Sequence, residues 1–80
     1  MKIPRDCNAS ELVKALRQFG YVTVRQDGSH LRMTTQTNGK HHVTIPNHRP
    51  IKVGTLHDIL KSIAGHQKMN VADLVSMLNL

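Results

Sequence analysis

The sequence predicts an α+β fold: a two-layer α-β-β-β-α-α domain, with a three-stranded antiparallel sheet and its helices on one face. Three observations predict it. Apolar residues recur at helical spacing up to Phe19, alternate from Tyr21 to Ile45, and return to helical spacing after Gly54. The alternating stretch is cut by Asp27-Gly28 and Asn38-Gly39, both strong turn signals. The chain has 80 residues, enough for one modest core, so residues 1–80 are expected to form a single domain.

The first helix is predicted over residues 9–19. Leu12, Val13, Leu16 and Phe19 make its apolar stripe, while Glu11, Lys14, Arg17 and Gln18 take the other face. Asn8 and Glu11 have the spacing of a capping box, and Gly20 is a good stop. The first strand follows at Tyr21–Arg25, rich in β-branched residues. Asp27-Gly28 predicts a tight hairpin turn into a second strand at Ser29–Thr35, where Leu31 and Met33 share one face and His30, Arg32 and Thr34 the other. The third strand is expected at His41–Ile45, with Val43 and Ile45 inward and His42 and Thr44 outward, closed by Pro46. A loop to Gly54 leads to Thr55, a candidate N-cap for a helix carrying Leu56, Ile59, Leu60 and Ile63 and ending at Gly65. Asn70 and Asp73 repeat the cap spacing before a last short helix at about 71–79, which must pack on something to persist. This is the layout of double-stranded RNA-binding domains, with one sheet face left open.

Charge narrows the function. Eleven Lys and Arg against five Asp and Glu give a net charge of +6, with six histidines besides. Such a balance in a small domain favours a polyanionic partner, nucleic acid first. Trp is absent, and Tyr21 and Phe19 are the only aromatic residues, which argues against base stacking and for backbone recognition. A single cysteine, Cys7, rules out a disulfide framework within the chain. There is no apolar run of membrane length, and Met1–Asp6 is too polar for a signal peptide, so a cytoplasmic location is expected.

The most informative residue is His30. It follows a glycine turn at the mouth of a strand, on the polar face. Histidine transfers protons near neutral pH. Gly28 allows close approach of a phosphate, Ser29 adds a hydroxyl, and Arg32 supplies fixed positive charge on the same face. That combination suits phosphodiester cleavage without a metal. His42, on the same face of the paired strand, is a candidate second proton-transfer or substrate-contact group. Lys14 and Arg17 on the first helix, and Arg49 and Lys52 in the loop, are candidate phosphate contacts.

Glu11-Leu12-Val13-Lys14-Ala15-Leu16, Phe19-Gly20-Tyr21 and Val24-Arg25-Gln26-Asp27-Gly28-Ser29-His30 together resemble the HicA toxin family. Val43-Thr44-Ile45-Pro46, Val53-Gly54-Thr55-Leu56 with Ile59-Leu60, and Met69–Leu74 continue the resemblance, which covers roughly residues 8 to 80. It implies a toxin of a bacterial toxin–antitoxin pair with a fold like that of double-stranded RNA-binding domains. It implies an mRNA interferase, a metal-independent endoribonuclease whose catalytic histidine maps onto His30. It also implies a HicB-type antitoxin that blocks the site, with operator DNA contacted only through the complex. No cofactor is implied. Two other readings fit the same surface: a non-catalytic RNA-binding module, and a protein–protein module that exists to meet its antitoxin.

The remaining histidines carry blander readings. His41 and His42 point to opposite faces, so they do not form a metal pair, and no metal site is expected. His57 and His66 are expected to be solvated, Met33 and Met69 to fill the core, and Cys7 to be unreactive.

Overall fold

The structure is a computed structural model that describes residues 3–80. Its order is α1 (Ala9–Leu16), a 3-10 turn (Arg17–Phe19), β1 (Val22–Asp27), β2 (His30–Thr35), β3 (His41–Pro46), α2 (Val53–Gln67) and α3 (Val71–Leu78). The strands form one antiparallel sheet in the order β1-β2-β3. α1 lies against β1 and β3, α2 against β3, and α3 against α2. The predicted α+β layout is the one observed, and the 17 Å thickness of the molecule matches two layers.

One apolar cluster joins the layers. Leu12 and Leu16 of α1, Met33 and Ile45 of the sheet, Leu56, Leu60 and Ile63 of α2, and Leu74 of α3 are all fully buried. Tyr21, just before β1, and Ile51, just before α2, are fully buried as well. Cys7 is buried in the same cluster, and burial first, then the Glu11 charge, pushes its thiol up in pKa.

The caps read from the sequence at Asn8 and Asn70 are present. Glu11 Oε1 accepts from the Asn8 N–H at 3.2 Å, and the Asn70 side chain accepts from the Asp73 N–H at 2.7 Å. The α2 boundaries differ from expectation. The helix starts at Val53 with Lys52 at its N-cap, and exposed Thr55 lies inside its first turn. Tertiary contact decides this. Ile51 is buried and its N–H bonds to the Cys7 carbonyl at 2.9 Å, so the chain is already anchored when it reaches Lys52. At the other end α2 runs past Gly65 to Gln67 and closes on Lys68, which takes the left-handed conformation at φ 59. The last turn is held by buried Gln67, whose Oε1 accepts from Asn38 at 3.2 Å while its Nε2 has no partner.

The first hairpin is shifted by one residue from the predicted turn. Asp27 pairs directly with His30, so the turn is Gly28-Ser29, with positive φ (57) at glycine alone. This is the pattern of a II′ hairpin, which requires glycine at its first central position. Val24 is an extra residue in the β1 ladder, since Thr23 faces Met33 and Arg25 faces Arg32. Thr34 also departs from expectation. It lies on the open face but is buried, covered beside His42 and hydrogen-bonded to its Nδ1.

Candidate active site on the open sheet face

The register fixes which side chains share the open face. His30 lies between Asp27 and Pro46, Arg32 between Arg25 and Thr44, and Thr34 between Val22 and His42. Alternation along β2 turns Leu31 and Met33 the other way, toward the helices. His30, Arg32, Arg25 and Asp27 are all exposed. His30 thus stands at the tip of the β1–β2 hairpin with a carboxylate across the ladder on one side and two arginines beside it.

The tip is tied down from β3. The Asn47 N–H donates to the Ser29 carbonyl at 2.6 Å, the His48 N–H to the Pro46 carbonyl at 2.8 Å, and the Ala9 N–H to the His48 carbonyl at 3.2 Å. The loop carrying His48, Arg49 and Lys52 therefore runs beside the Gly28-Ser29 turn, and the first residues of α1 and α2 lie at this end. Helix starts carry the positive end of the backbone dipole, which adds to the positive charge there.

The expected site residues divide into two groups. Gly28, Ser29, His30 and Arg32 come together at the hairpin end, and Arg49 and Lys52 lie exposed in the adjoining loop. His42 does not join them. It shares the face with His30 but stands opposite Thr34, four residues along the strand, about 13 Å away at ordinary strand rise. The structure thus does not bring His42 beside His30. Arg17 lies past the end of α1, toward the far end of the sheet. Lys14 lines a groove of the helix layer with Glu11, Ala15, Leu78, Asn79 and Leu80. The concavities around Pro4, Arg5, Asp6, Cys7 and Leu80 likewise belong to the chain ends and contain no sheet residue. The His30 face is open to solvent rather than enclosed in a cavity.

Among the described residues no group of three or more His, Cys, Asp or Glu side chains gathers to hold a metal ion. No helix there is long and apolar enough to cross a membrane.

A second histidine cluster was not legible in the sequence. The Tyr21 hydroxyl is hydrogen-bonded to His41 Nδ1 at 2.6 Å, and His41 Nε2 lies 3.3 Å from Ser62 Oγ. The His66 ring stacks on His41 with centroids 4.4 Å apart and planes 10° from parallel. His66 Nε2 donates to the Thr37 and Gly39 carbonyls at 2.9 and 3.0 Å. His66 is thus no solvated connector; it lies in α2 and fastens the β2–β3 turn to that helix. Burial foremost, then the nearby His66 and His42, lowers the His41 pKa. Burial raises that of Tyr21, against a smaller lowering by Gln67.

Sequence reasoning also missed Arg25 and Asp27 as site neighbours. Strict alternation from Tyr21 puts Arg25 on the helix side, and only the extra residue at Val24 turns it outward.

Comparison with known proteins agrees with this architecture. A search of curated proteins and a search of solved structures each returned no match. The family model described as HicA toxin of bacterial toxin–antitoxin matches residues 9–64, from the first residue of α1 to the last turns of α2 and through the whole sheet. That span is well over half of the 80 residues, and the chain belongs to the HicA toxin family.

Proposed function

We propose that this toxin is a metal-independent endoribonuclease, an mRNA interferase, with His30 as its catalytic residue. The observation that carries the reading is the placement of His30. It is the histidine of the Gly28-Ser29-His30 turn in a HicA family chain, exposed at a hairpin tip and flanked by cationic groups on an open sheet face. A base removes the proton of a ribose 2′-hydroxyl, and the 2′-oxygen forms a bond to phosphorus. The bond from phosphorus to the 5′-oxygen breaks, and an acid protonates that oxygen as it leaves. The products are a 2′,3′-cyclic phosphate and a 5′-hydroxyl. His30 supplies one of the two proton transfers, and its exposure at the hairpin tip leaves its ring open to the RNA backbone. Arg32 steadies the charge that builds on the phosphoryl oxygens. Gly28 and Ser29 leave room for the backbone at the turn, and Arg49 and Lys52 track flanking phosphates. The toxin acts in the cytoplasm, and a HicB-type antitoxin silences it by covering this face. Operator DNA is contacted only through that complex.

The test is cleavage of a long RNA in EDTA by the purified protein, with His30→Ala beside it at matched thermal stability. The expected result is cleavage by the parent, ends that carry cyclic phosphate, and a loss of at least about 100-fold in the variant, the lower end of what a proton-transfer group contributes. Equal cutting by both proteins removes His30 from the mechanism. Binding of RNA by both with cutting by neither replaces the enzyme with a non-catalytic RNA-binding module.

A further inference from the structure

Two features beside His30 are locally unfavourable, and they coincide. Arg25 and Arg32 stand directly opposite each other across the β1–β2 ladder. Like charges in that position repel at close range and destabilise a sheet. The ladder also carries an extra residue at Val24, immediately before Arg25. Without that bulge, with Val24 paired in regular register after Val22↔Thr34 and Thr23↔Met33, Arg25 would stand against Leu31, on the helix side. Leaving Val24 unpaired moves Arg25 to the open face and creates the like-charge pair. A bulge that re-aims a side chain in this way is a recurrent device next to functional sites.

Asp27 relieves only part of the repulsion. Its Oδ1 contacts Arg25 Nε at 3.0 Å, with both side chains more than half exposed, at 69% and 62%. Such a contact is weak and exchanges readily. Among the described residues it is the sole ion pair, so Arg32 has no carboxylate partner. The two arginines therefore share the open face as cross-strand partners, with Arg32 about 7 Å from His30 along the backbone at ordinary strand rise. Planar guanidinium forks match the paired oxygens of a phosphate.

We propose that Arg25 and Arg32 form a cross-strand clamp that holds one RNA phosphate beside His30, with the phosphate displacing Asp27 from Arg25. The clamp deepens the nuclease reading, because it names what brings the backbone to His30, and it rests on that reading for its choice of RNA. It makes Arg25 a substrate-binding residue, and it makes Arg25 and Arg32 act as a pair.

The experiment uses the full chain with His30→Ala, so that RNA survives the measurement. Binding of a fluorescent single-stranded RNA oligomer is followed by anisotropy across a salt series for Arg25→Gln, Arg32→Gln and the double variant. One lost phosphate contact on a single strand flattens the log K against log salt slope by about 0.7. Each single variant is expected to lose about that much, and the double no more than either single, because both arginines hold one phosphate. Thermal stability of Arg25→Gln should equal or exceed that of its parent, since repulsion is removed. An unchanged slope in Arg25→Gln overturns the clamp. Additive losses in the double variant also overturn it, since the arginines would then hold separate phosphates. Intact RNA binding by Arg25→Gln with weakened binding of the purified antitoxin overturns it in favour of a protein carboxylate. If the unsubstituted chain does not cut RNA while the paired salt slopes hold, the nuclease reading falls and the clamp stands.

Discussion

Gly20→Ala tests the packing argument where the structure makes it most quantitative. Gly20 sits at φ +80 between the 3-10 turn and β1, and a Cβ there falls 2.8 Å from Thr37 Oγ1 and 2.9 Å from Thr35 Oγ1. The left-handed conformation alone costs alanine about 1–2 kcal/mol. Thr37 is exposed and its hydroxyl can turn away. Thr35 cannot, for it is 1% exposed, and its hydroxyl donates to the Phe19 carbonyl at 2.7 Å and accepts from the Thr37 N–H at 3.1 Å. Rotating it breaks both bonds, each worth about 1 kcal/mol net. The sum is about 3–4 kcal/mol, which lowers Tm by roughly 12–32 °C in a domain of this size. Gly39→Ala is the internal control. It has φ +95 but nothing within 4 Å of its Cβ, so it carries the backbone cost without the clash. Thermal unfolding by circular dichroism should rank the parent above Gly39→Ala and Gly39→Ala above Gly20→Ala. Equal Tm values for the two variants would refute the Thr35 argument and leave only backbone strain.

Two further outcomes follow from the core and the far end of the sheet. The His41 pKa is lowered by burial and then by His66 and His42, so between its folded value and the unfolded value of about 6.5 the unfolded chain binds the extra proton. Stability is full above that window and falls as pH drops through it, with a slope below about 1.4 kcal/mol per pH unit because the ring is partly solvated. Denaturant titrations from pH 8 to pH 5 should show that fall in the parent and lose most of it in His41→Gln; an identical slope in both would exonerate His41. Leu74→Ala should cost about 2–5 kcal/mol by the same titrations, since Leu74 is fully buried although α3 lies beyond the matched residues 9–64. A loss under about 1 kcal/mol would mean that α3 is peripheral to the core.

The sequence carried the fold wherever the signal was local. Asn8 and Asn70 cap as their spacing implies, and Val43 and Ile45 face inward by simple alternation. Two of the misses share one cause, which is contact between residues distant in sequence. Ile51 docking on Cys7 starts α2 before Thr55, and the Tyr21–His41–His66 stack joins three segments that no window spans. His30 was legible because its turn and the blocks around it resemble a known family. Arg25 was not, because a single extra residue inverts which face it takes. His42 shows the limit of face arguments: alternation gives the face correctly and says nothing of the distance along it.

The two ends of the sheet divide the work, and β2 connects them. At the far end Thr35 is buried and doubly bonded, and His66 secures the β2–β3 turn through two carbonyls. Along β1 and its turn every residue from Val22 to His30 is exposed, and toward the hairpin two arginines oppose each other beside an irregularity in the ladder. A domain of 80 residues has little stability to spare, so unfavourable features persist only where the rest of the fold outweighs them. The arrangement places them within reach of His30 and away from the buried contacts. Substitutions at the tip should therefore move RNA affinity or cleavage more than Tm, and substitutions at Tyr21, Thr35 or His66 should do the reverse. A tip built for stability would have paired Arg32 with a carboxylate; this tip leaves it facing Arg25, the arrangement the proposed phosphate clamp uses.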